Sequence, residues 1–304
     1  MRQRASLDSF PASMAGPPNR RLVRCRSTRL AFVCTIVITG ISSAQLTAAD
    51  QSGPSETIHS EFHPDQSNLP VPPPPGAIVL LGVDADPGGF TSMSGGRVDW
   101  KSVEGTLEVA TTPGHANHVV SRQVFRDADL HAEFMIHPRA HGNSGIYIHG
   151  HYEMQIYDSF AAAQSGVPPT EQDAGSLYRF AAPLVHAVRK PGEWQVYDIR
   201  YVAPRRDEKG LIVRPGSITA WLNGSKVQDD VGFTEPRSPY TPFRHGVTDH
   251  LRTVERRLIE TGEGPLFLQD HGSPTRCRNI WILPLQAPRT GERTPPNQPP
   301  LRSP

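Results

Sequence analysis

The 304-residue chain sets 31 Lys and Arg against 30 Asp and Glu, a formal net charge of +1, and contains only three cysteines. The near-balance lacks the basic surplus of a nucleic-acid binder. No Gly-x-Gly-x-x-Gly, Walker, His-Glu-x-x-His or Cys-x-x-Cys sequence occurs, so nucleotide and zinc-protease readings also lose their main support. These exclusions favour a soluble substrate met outside the cytoplasm.

The chain opens with the pattern of an export signal. Arg20, Arg21, Arg24, Arg26 and Arg29 precede the apolar run Leu30 to Ile41, and the small residues Thr47 and Ala49 offer a cleavage point before Asp50. Residues 1–49 are therefore predicted to be a signal peptide, with Met14 as an alternative start that would leave a more ordinary basic leader. The apolar run is short for a membrane span; an uncleaved anchor is the competing reading, and no stable membrane insertion is expected once the signal is removed. Cys34 lacks the small preceding residue that lipoprotein processing requires. Cleavage would remove Cys25 and Cys34 and leave Cys277, expected to be a packing residue rather than a reactive thiol because no local signature supports it.

Residues 50–76 are polar and then proline-rich, ending in Pro70-Val71-Pro72-Pro73-Pro74-Pro75, and are predicted to form a disordered spacer. Residues 287–304 have the same character. Between them, residues 77–286 fit one domain. Its punctuation is all-β: short alternating runs such as Gly105–Val109, His118–Ser121, Leu130–Ile136 and Gln195–Val202 are separated by Gly, Pro, Asn and Asp turns. Asn223-Gly224 marks a tight hairpin. In the stretch 237–263, Val247, Leu251, Val254 and Leu258 fall at helical spacing before Gly262, predicting one short amphipathic helix packed on its own domain, with a partner-binding helix as the alternative.

The densest polar alternation lies in 142–158. Two strands bending at Gly150 should bury Ile146, Ile148, Met154 and Ile156 and present Tyr147, His149, Glu153 and Gln155 on one surface, with Asp158 at its end. Glu153, Asp158 and Asp270 with His149 and His271 could form an acid/base set. Gln155, Asn143, Tyr147 and Trp194 supply the amides and flat aromatic faces that a sugar ring needs. Arg276 and Arg278 could stabilise developing negative charge. Each has a plainer alternative. His149 and His151 could be metal ligands at two-residue spacing, but without a third ligand they read as a hydrogen-bonding pair, and no metal or other cofactor is predicted. Asp270 precedes a turn that it could simply stabilise, and Trp194 and Trp281 could be core.

The hairpin stretch, with Gly175-Ser176-Leu177-Tyr178, Pro191-Gly192-Glu193-Trp194-Gln195-Val196-Tyr197-Asp198-Ile199, Trp221-Leu222-Asn223-Gly224, Leu268-Gln269-Asp270-His271-Gly272 and Arg278 to Leu285, resembles the 3-keto-disaccharide hydrolase domain family. The resemblance runs from about Val79 to Leu285. It implies a concanavalin A-like antiparallel β-sandwich, or jelly roll, adds Tyr178 to the substrate-binding candidates and strengthens His271 as a catalytic one. The chain departs from the pattern where many relatives carry Arg in place of His149, and where a glycine is common at Arg179-Phe180. The implied reaction acts on 3-keto-glycosides: the ketone acidifies the hydrogen on carbon 2, a base removes it, the group on carbon 1 leaves, and water adds to the enone. Direct hydrolysis by a carboxylate pair, a noncatalytic sugar-binding module and a cell-surface interaction domain remain open. The expected partner is an oligosaccharide or glycoside, and not nucleic acid.

The mature protein is expected in the periplasm or outside the cell, beginning near Asp50. N-terminal sequencing of the exported form checks this; an intact chain from Met1 in the cytosol would contradict it.

Overall fold

The computed structural model describes residues 62–109, 117–139, 141–209, 211–234, 241–244 and 247–285. The predicted signal peptide, the first part of the predicted spacer and the C-terminal tail lie outside the described residues. In chain order the strands are β1 (Ile78–Leu81), β2 (Phe90–Ser92), β3 (Lys101–Val103), β4 (Thr106–Glu108), β5 (Val119–Phe125), β6 (Ala128–Met135), β7 (Asn143–Ile148) and β8 (Tyr152–Tyr157). After the short helix α1 (Phe160–Gln164) come β9 (Trp194–Val202), β10 (Arg205–Arg206), β11 (Ile212–Arg214), β12 (Gly216–Leu222) and β13 (Ser225–Phe233). Helix α2 (Asp249–Thr261), β14 (Gly264–Leu268) and β15 (Arg276–Pro284) complete the domain.

Two antiparallel sheets form a concanavalin A-like sandwich. The larger runs β13-β12-β9-β6-β15-β4-β3, with β1 also paired to β15; the smaller runs β2-β5-β14-β7-β8. Strand alternation sends Leu130, Ala132 and Phe134 of β6, Tyr197, Ile199 and Tyr201 of β9, and Ile280 and Ile282 of β15 into the space between them. Ile146, Ile148, Met154 and Ile156 meet them from the smaller sheet, each at most 1% exposed. All four hairpin positions predicted to be buried are thus in the core. Tyr197 spans the layers, donating its hydroxyl to the Gln155 carbonyl at 2.5 Å. The Asn223-Gly224 turn adopts the two positive φ angles, 52° and 82°, that join β12 to β13. Cys277 is buried, and burial pushes its thiol up to about 12, leaving it inert.

The outer face of the larger sheet is not bare. Asp129, His131 and Glu133 of β6 and Asp198 of β9 are all buried there. Residues 62–76, expected to be spacer, run across this face. Val71 N–H donates to Glu133 Oε1 (2.8 Å), Gln66 Nε2 to Asp198 Oδ2 (2.6 Å), and Phe62 packs edge-on against Trp281 at 6.0 Å. Composition suggests a free linker here because prolines disfavour regular pairing; the structure uses the same extended backbone as a strap. Burial works against charge on His131, but its 2.6 Å contact with Asp198 and the nearby Glu133 outweigh it and hold its pKa above the ordinary value.

Helix α2 begins after Thr248, whose hydroxyl accepts from Leu251 N–H at 3.1 Å, and ends on Gly262 at φ 70°. Leu251 is buried, and Val254 and Leu258 pack against the cluster of Met93, Val120, Tyr147, Phe243 and Phe267 on the outer face of the smaller sheet. The apolar stripe meets its own domain; Val247 precedes the helix instead of belonging to it.

Replacing Ile156 by Asp places an unpaired charge between the sheets and is expected to cost about 3 to 5 kcal/mol. Urea unfolding of the variant checks this; an unchanged midpoint would mean that position 156 is not interior.

Candidate active site

The β7–β8 register sets Gly145 opposite Gln155 and Tyr147 opposite Glu153, while β14 places Phe267 opposite Tyr147. Gln269 continues β14, donating its backbone N–H to the Gly145 carbonyl at 2.9 Å. On the far side of β8, residues 175–178 run alongside as an irregular extra strand: Gln155 N–H donates to the Ser176 carbonyl (3.0 Å) and Tyr178 N–H to the Glu153 carbonyl (2.9 Å). With Leu177 in the core, alternation turns Ser176 and Tyr178 outward. Gln269, Tyr147, Glu153, Gln155, Ser176 and Tyr178 therefore share one outer face.

Glu153 is the centre of that face. A Cβ on Gly145 would stand 2.4 Å from Glu153 Oε1, so only glycine lets the carboxyl lie across β7. Glu153 is 3% exposed. Burial raises its pKa from 4.5 to about 7, against the lowering effect of hydrogen bonds with Tyr147 and Gln269. Gln269 Nε2 donates to the Tyr147 hydroxyl at 3.0 Å, and Gln155 Nε2 to the Gln172 carbonyl at 3.4 Å. These contacts leave Glu153 Oε2, Gln155 Oε1, Gln269 Oε1 and Ser176 Oγ buried without hydrogen-bond partners among the described residues. Four such atoms on one face mark a place where a ligand rich in hydroxyl donors would satisfy them.

The face is closed at one end and open at the other. Phe243 packs edge-on against Phe267 at 5.6 Å and covers the hairpin turn, where Thr241 donates its hydroxyl to the Gly150 carbonyl. At the other end Asn143 Nδ2 lies 3.3 Å from Nδ1 of the exposed His271. Asp158, past the end of β8, donates its N–H to the Gly142 carbonyl at 2.9 Å. Asp270 Oδ1 accepts from Gly272 N–H at 2.8 Å, the turn-stabilising role; burial raises its pKa against the lowering effect of backbone hydrogen bonds from Gly272 and Asn117. His118 Nδ1 accepts the Asp270 N–H at 3.0 Å.

Of the sequence-predicted residues, Asn143, Tyr147, Glu153, Gln155, Tyr178 and His271 come together here, with Asp158 and Asp270 at the open end. Four do not. His149 sits at φ 54° in the turn, which breaks the strand alternation and directs its imidazole between Phe125 (4.9 Å) and Tyr201 (4.7 Å). Arg276, Arg278 and Trp194 belong to the other sheet. Arg276 is held by Glu108 (2.8 Å) and Glu104 (3.0 Å); Arg278 bonds Glu133 at 2.8 Å with its guanidinium 3.8 Å from the Trp194 ring centroid. Their charge is already matched there. Among the described residues no group of three or more His, Cys, Asp or Glu is placed to hold a metal, so His149 and His151 gain no third ligand of that kind. Gln269, Ser176 and Arg179 were missed. Gln269 and Ser176 stand inside quoted motifs, masked by the more reactive Asp270, His271 and Tyr178; the Arg179 guanidinium lies 5.7 Å from the Tyr178 ring centroid, bordering the face.

Fold and site together define a concanavalin A-like sandwich with a polar face built around the Glu153 carboxyl group. The chain belongs to the 3-keto-alpha-glucoside-1,2-lyase-like domain family, which it matches over residues 77–283. A candidate glycosyl hydrolase from Parabacteroides distasonis ATCC 8503 is similar in structure, with a TM-score of 0.55 at 32% identity over 70% of this chain and 85% of that one. Two further candidate glycosyl hydrolases of the same organism align at 21% identity (TM-score 0.46, 69% and 95% covered) and 19% identity (TM-score 0.40, 64% and 99% covered). No curated protein matches the sequence.

The carboxyl of Glu153 has a testable effect on stability. Unfolded, it ionises near 4.5; folded, near 7. Between these values the folded state keeps a proton that the unfolded state has lost, so stability falls as pH rises through the window, by about 3 kcal/mol in all. Glu153→Gln is therefore expected to be more stable than the parent at pH 8 by about 2–3 kcal/mol, with little difference at pH 4. Urea unfolding at both pH values checks this; the same difference at each would show that Glu153 is not the titrating group.

Proposed function

We propose that this protein acts on carbohydrate and cleaves 3-keto-glycosides by elimination, with Glu153 as the base. One observation carries the reading: a single buried carboxyl, its pKa raised to about 7, lies among unpartnered acceptor atoms on an otherwise well-packed sheet. A carboxylate with that pKa takes up a proton more readily than an ordinary one, which suits removal of the hydrogen that a neighbouring ketone acidifies. Membership of the family and the similarity to a candidate glycosyl hydrolase support the carbohydrate assignment.

In this scheme Glu153 takes the carbon 2 proton and the electron pair of that bond passes to the ketone as an enolate. Its return expels the carbon 1 oxygen, which leaves as an alcohol once protonated, and water then adds across the enone. The Tyr147 hydroxyl, already bonded with Gln269, stands beside Glu153 to stabilise the enolate, and the Arg179 guanidinium contributes positive charge from the edge. His271, exposed at the open end, is placed for proton exchange with solvent or the leaving group. Of the two carboxylate pairs that direct hydrolysis could use, Glu153 with Asp158 or with Asp270, the first is less well supported. Glu153 and Asp158 are five residues apart along one strand direction, roughly 16 Å between backbones, whereas paired glycosidase carboxyls stand about 5–10 Å apart.

The purified protein is expected to convert a 3-keto-glycoside and leave the parent glycoside untouched, with deuterium at carbon 2 slowing the reaction or exchanging with solvent. Glu153→Gln should lower kcat by about a hundredfold or more with little change in KM, and kcat/KM should rise with pH through the neutral range as Glu153 ionises. Binding of both sugars without turnover of either, weakened by Tyr147→Phe, would instead assign a noncatalytic sugar-binding module.

A further inference from the structure

The turn at His149–His151 leads away from the Glu153 face to a second cavity of about 560 Å³ at the end of the sandwich. Its floor is His149, His151, Tyr152 and Tyr201; the run Arg205–Lys209 forms one wall and the last turn of α2 the other. The chemistry proposed for Glu153 uses none of these groups.

The floor presents buried nitrogen atoms without partners. Tyr201 Oη lies 3.2 Å from His149 Nδ1, while His149 Nε2 and His151 Nδ1 make no hydrogen bond among the described residues. Both rings are neutral at pH 7. Burial, then the neighbouring His151, depress His149 to about 3; burial, then Arg206 and Arg244, depress His151 to about 4. Two guanidinium groups thus set the field at His151, and Arg126 and Lys209 also line the cavity. Arg205 is committed to Asp127, at 2.5 Å and 3.0 Å. Among the described residues three carboxylates share the lining. Asp207 Oδ1 accepts the N–H groups of Lys209 and Leu211, each at 2.9 Å, while Glu208 and Glu260 are exposed at the rim. The C-terminal end of α2 adds partial negative charge on its own wall, so an anion would sit on the Arg206 side.

We propose that this cavity binds a small molecule through an oxyanion group, a sulfate, phosphate or carboxylate, that meets His149 Nε2, His151 Nδ1 and the Arg206 guanidinium. The volume exceeds what a lone ion fills and falls in the range of about 300–1,000 Å³ typical of small-molecule sites. The oxyanion is therefore a substituent on a larger molecule, whose body rests over Tyr152 and Tyr201.

The test uses the intact protein at pH 7 with three probes, inorganic sulfate, glucose 6-sulfate and glucose, followed by imidazole nitrogen–proton correlation spectra and calorimetry. The His149 and His151 resonances are expected to move with both sulfates and not with glucose, with those of His250 unaffected. Glucose 6-sulfate should bind at least tenfold more tightly than the ion, and Arg206→Ala should weaken it about tenfold or more, as loss of a charge-assisted hydrogen bond predicts. Equal affinity for the two sulfates would overturn the proposal that the oxyanion belongs to a larger molecule. Unmoved His149 and His151 resonances, glucose binding as tightly as its sulfate, or full binding by Arg206→Ala would overturn the proposal.

Discussion

The site depends on one contact, the Glu153 carboxyl lying across Gly145. A buried carboxyl is costly to ionise, and that cost is what moves its pKa toward neutrality. The cost is sustainable only where surrounding groups hold the carboxyl in place. Tyr147 and Gln269 do so from one side, and residues 175–178 secure β8 from the other. That irregular segment is itself tied to the opposite sheet, because the Tyr197 hydroxyl receives the Gly175 N–H at 2.7 Å while donating to the Gln155 carbonyl. A residue of the larger sheet thus fixes the edge against which the buried carboxyl rests.

The two ends of this face differ in water access, and the difference comes from helix α2. Its apolar side, together with Phe243 and Phe267, seals the region beyond Tyr147, which lowers the local polarity around the carboxyl. Among the described residues the end bearing Asn143 and His271 carries no such cover. A ligand entering there would meet Gln155, Gln269 and Ser176 before it reached Glu153. The insertion that interrupts the strand pattern is therefore part of the electrostatics of the site.

Period-two alternation made the centre of the fold legible, because Ile146, Ile148, Met154 and Ile156 have no other side of a strand on which to lie. It also placed Tyr147, Glu153 and Gln155 on one surface. Alternation reports which face of a strand a side chain occupies, but not which of two sheets the strand joins; Arg276, Arg278 and Trp194 were misplaced for that reason. In β15 an irregularity between Arg278 and Ile280, with Asn279 at φ 46°, also breaks the parity on which such counting relies. His149 was lost to a positive φ in a turn, where strand rules no longer hold. Asn279 donates to the Val71 carbonyl at 2.7 Å across 208 residues of sequence, a pairing that local pattern does not encode.

The strap over the larger sheet separates two ideas of where this domain begins. The family match starts at residue 77, yet Val71 N–H and Gln66 hydrogen-bond carboxylates that are themselves buried, from positions before that boundary. The inherited unit and the physically complete unit are therefore not the same length. A chain shortened to the matched region would keep every strand but uncover Glu133 and Asp198, so that groups now matched by backbone and amide donors would have to be hydrated instead.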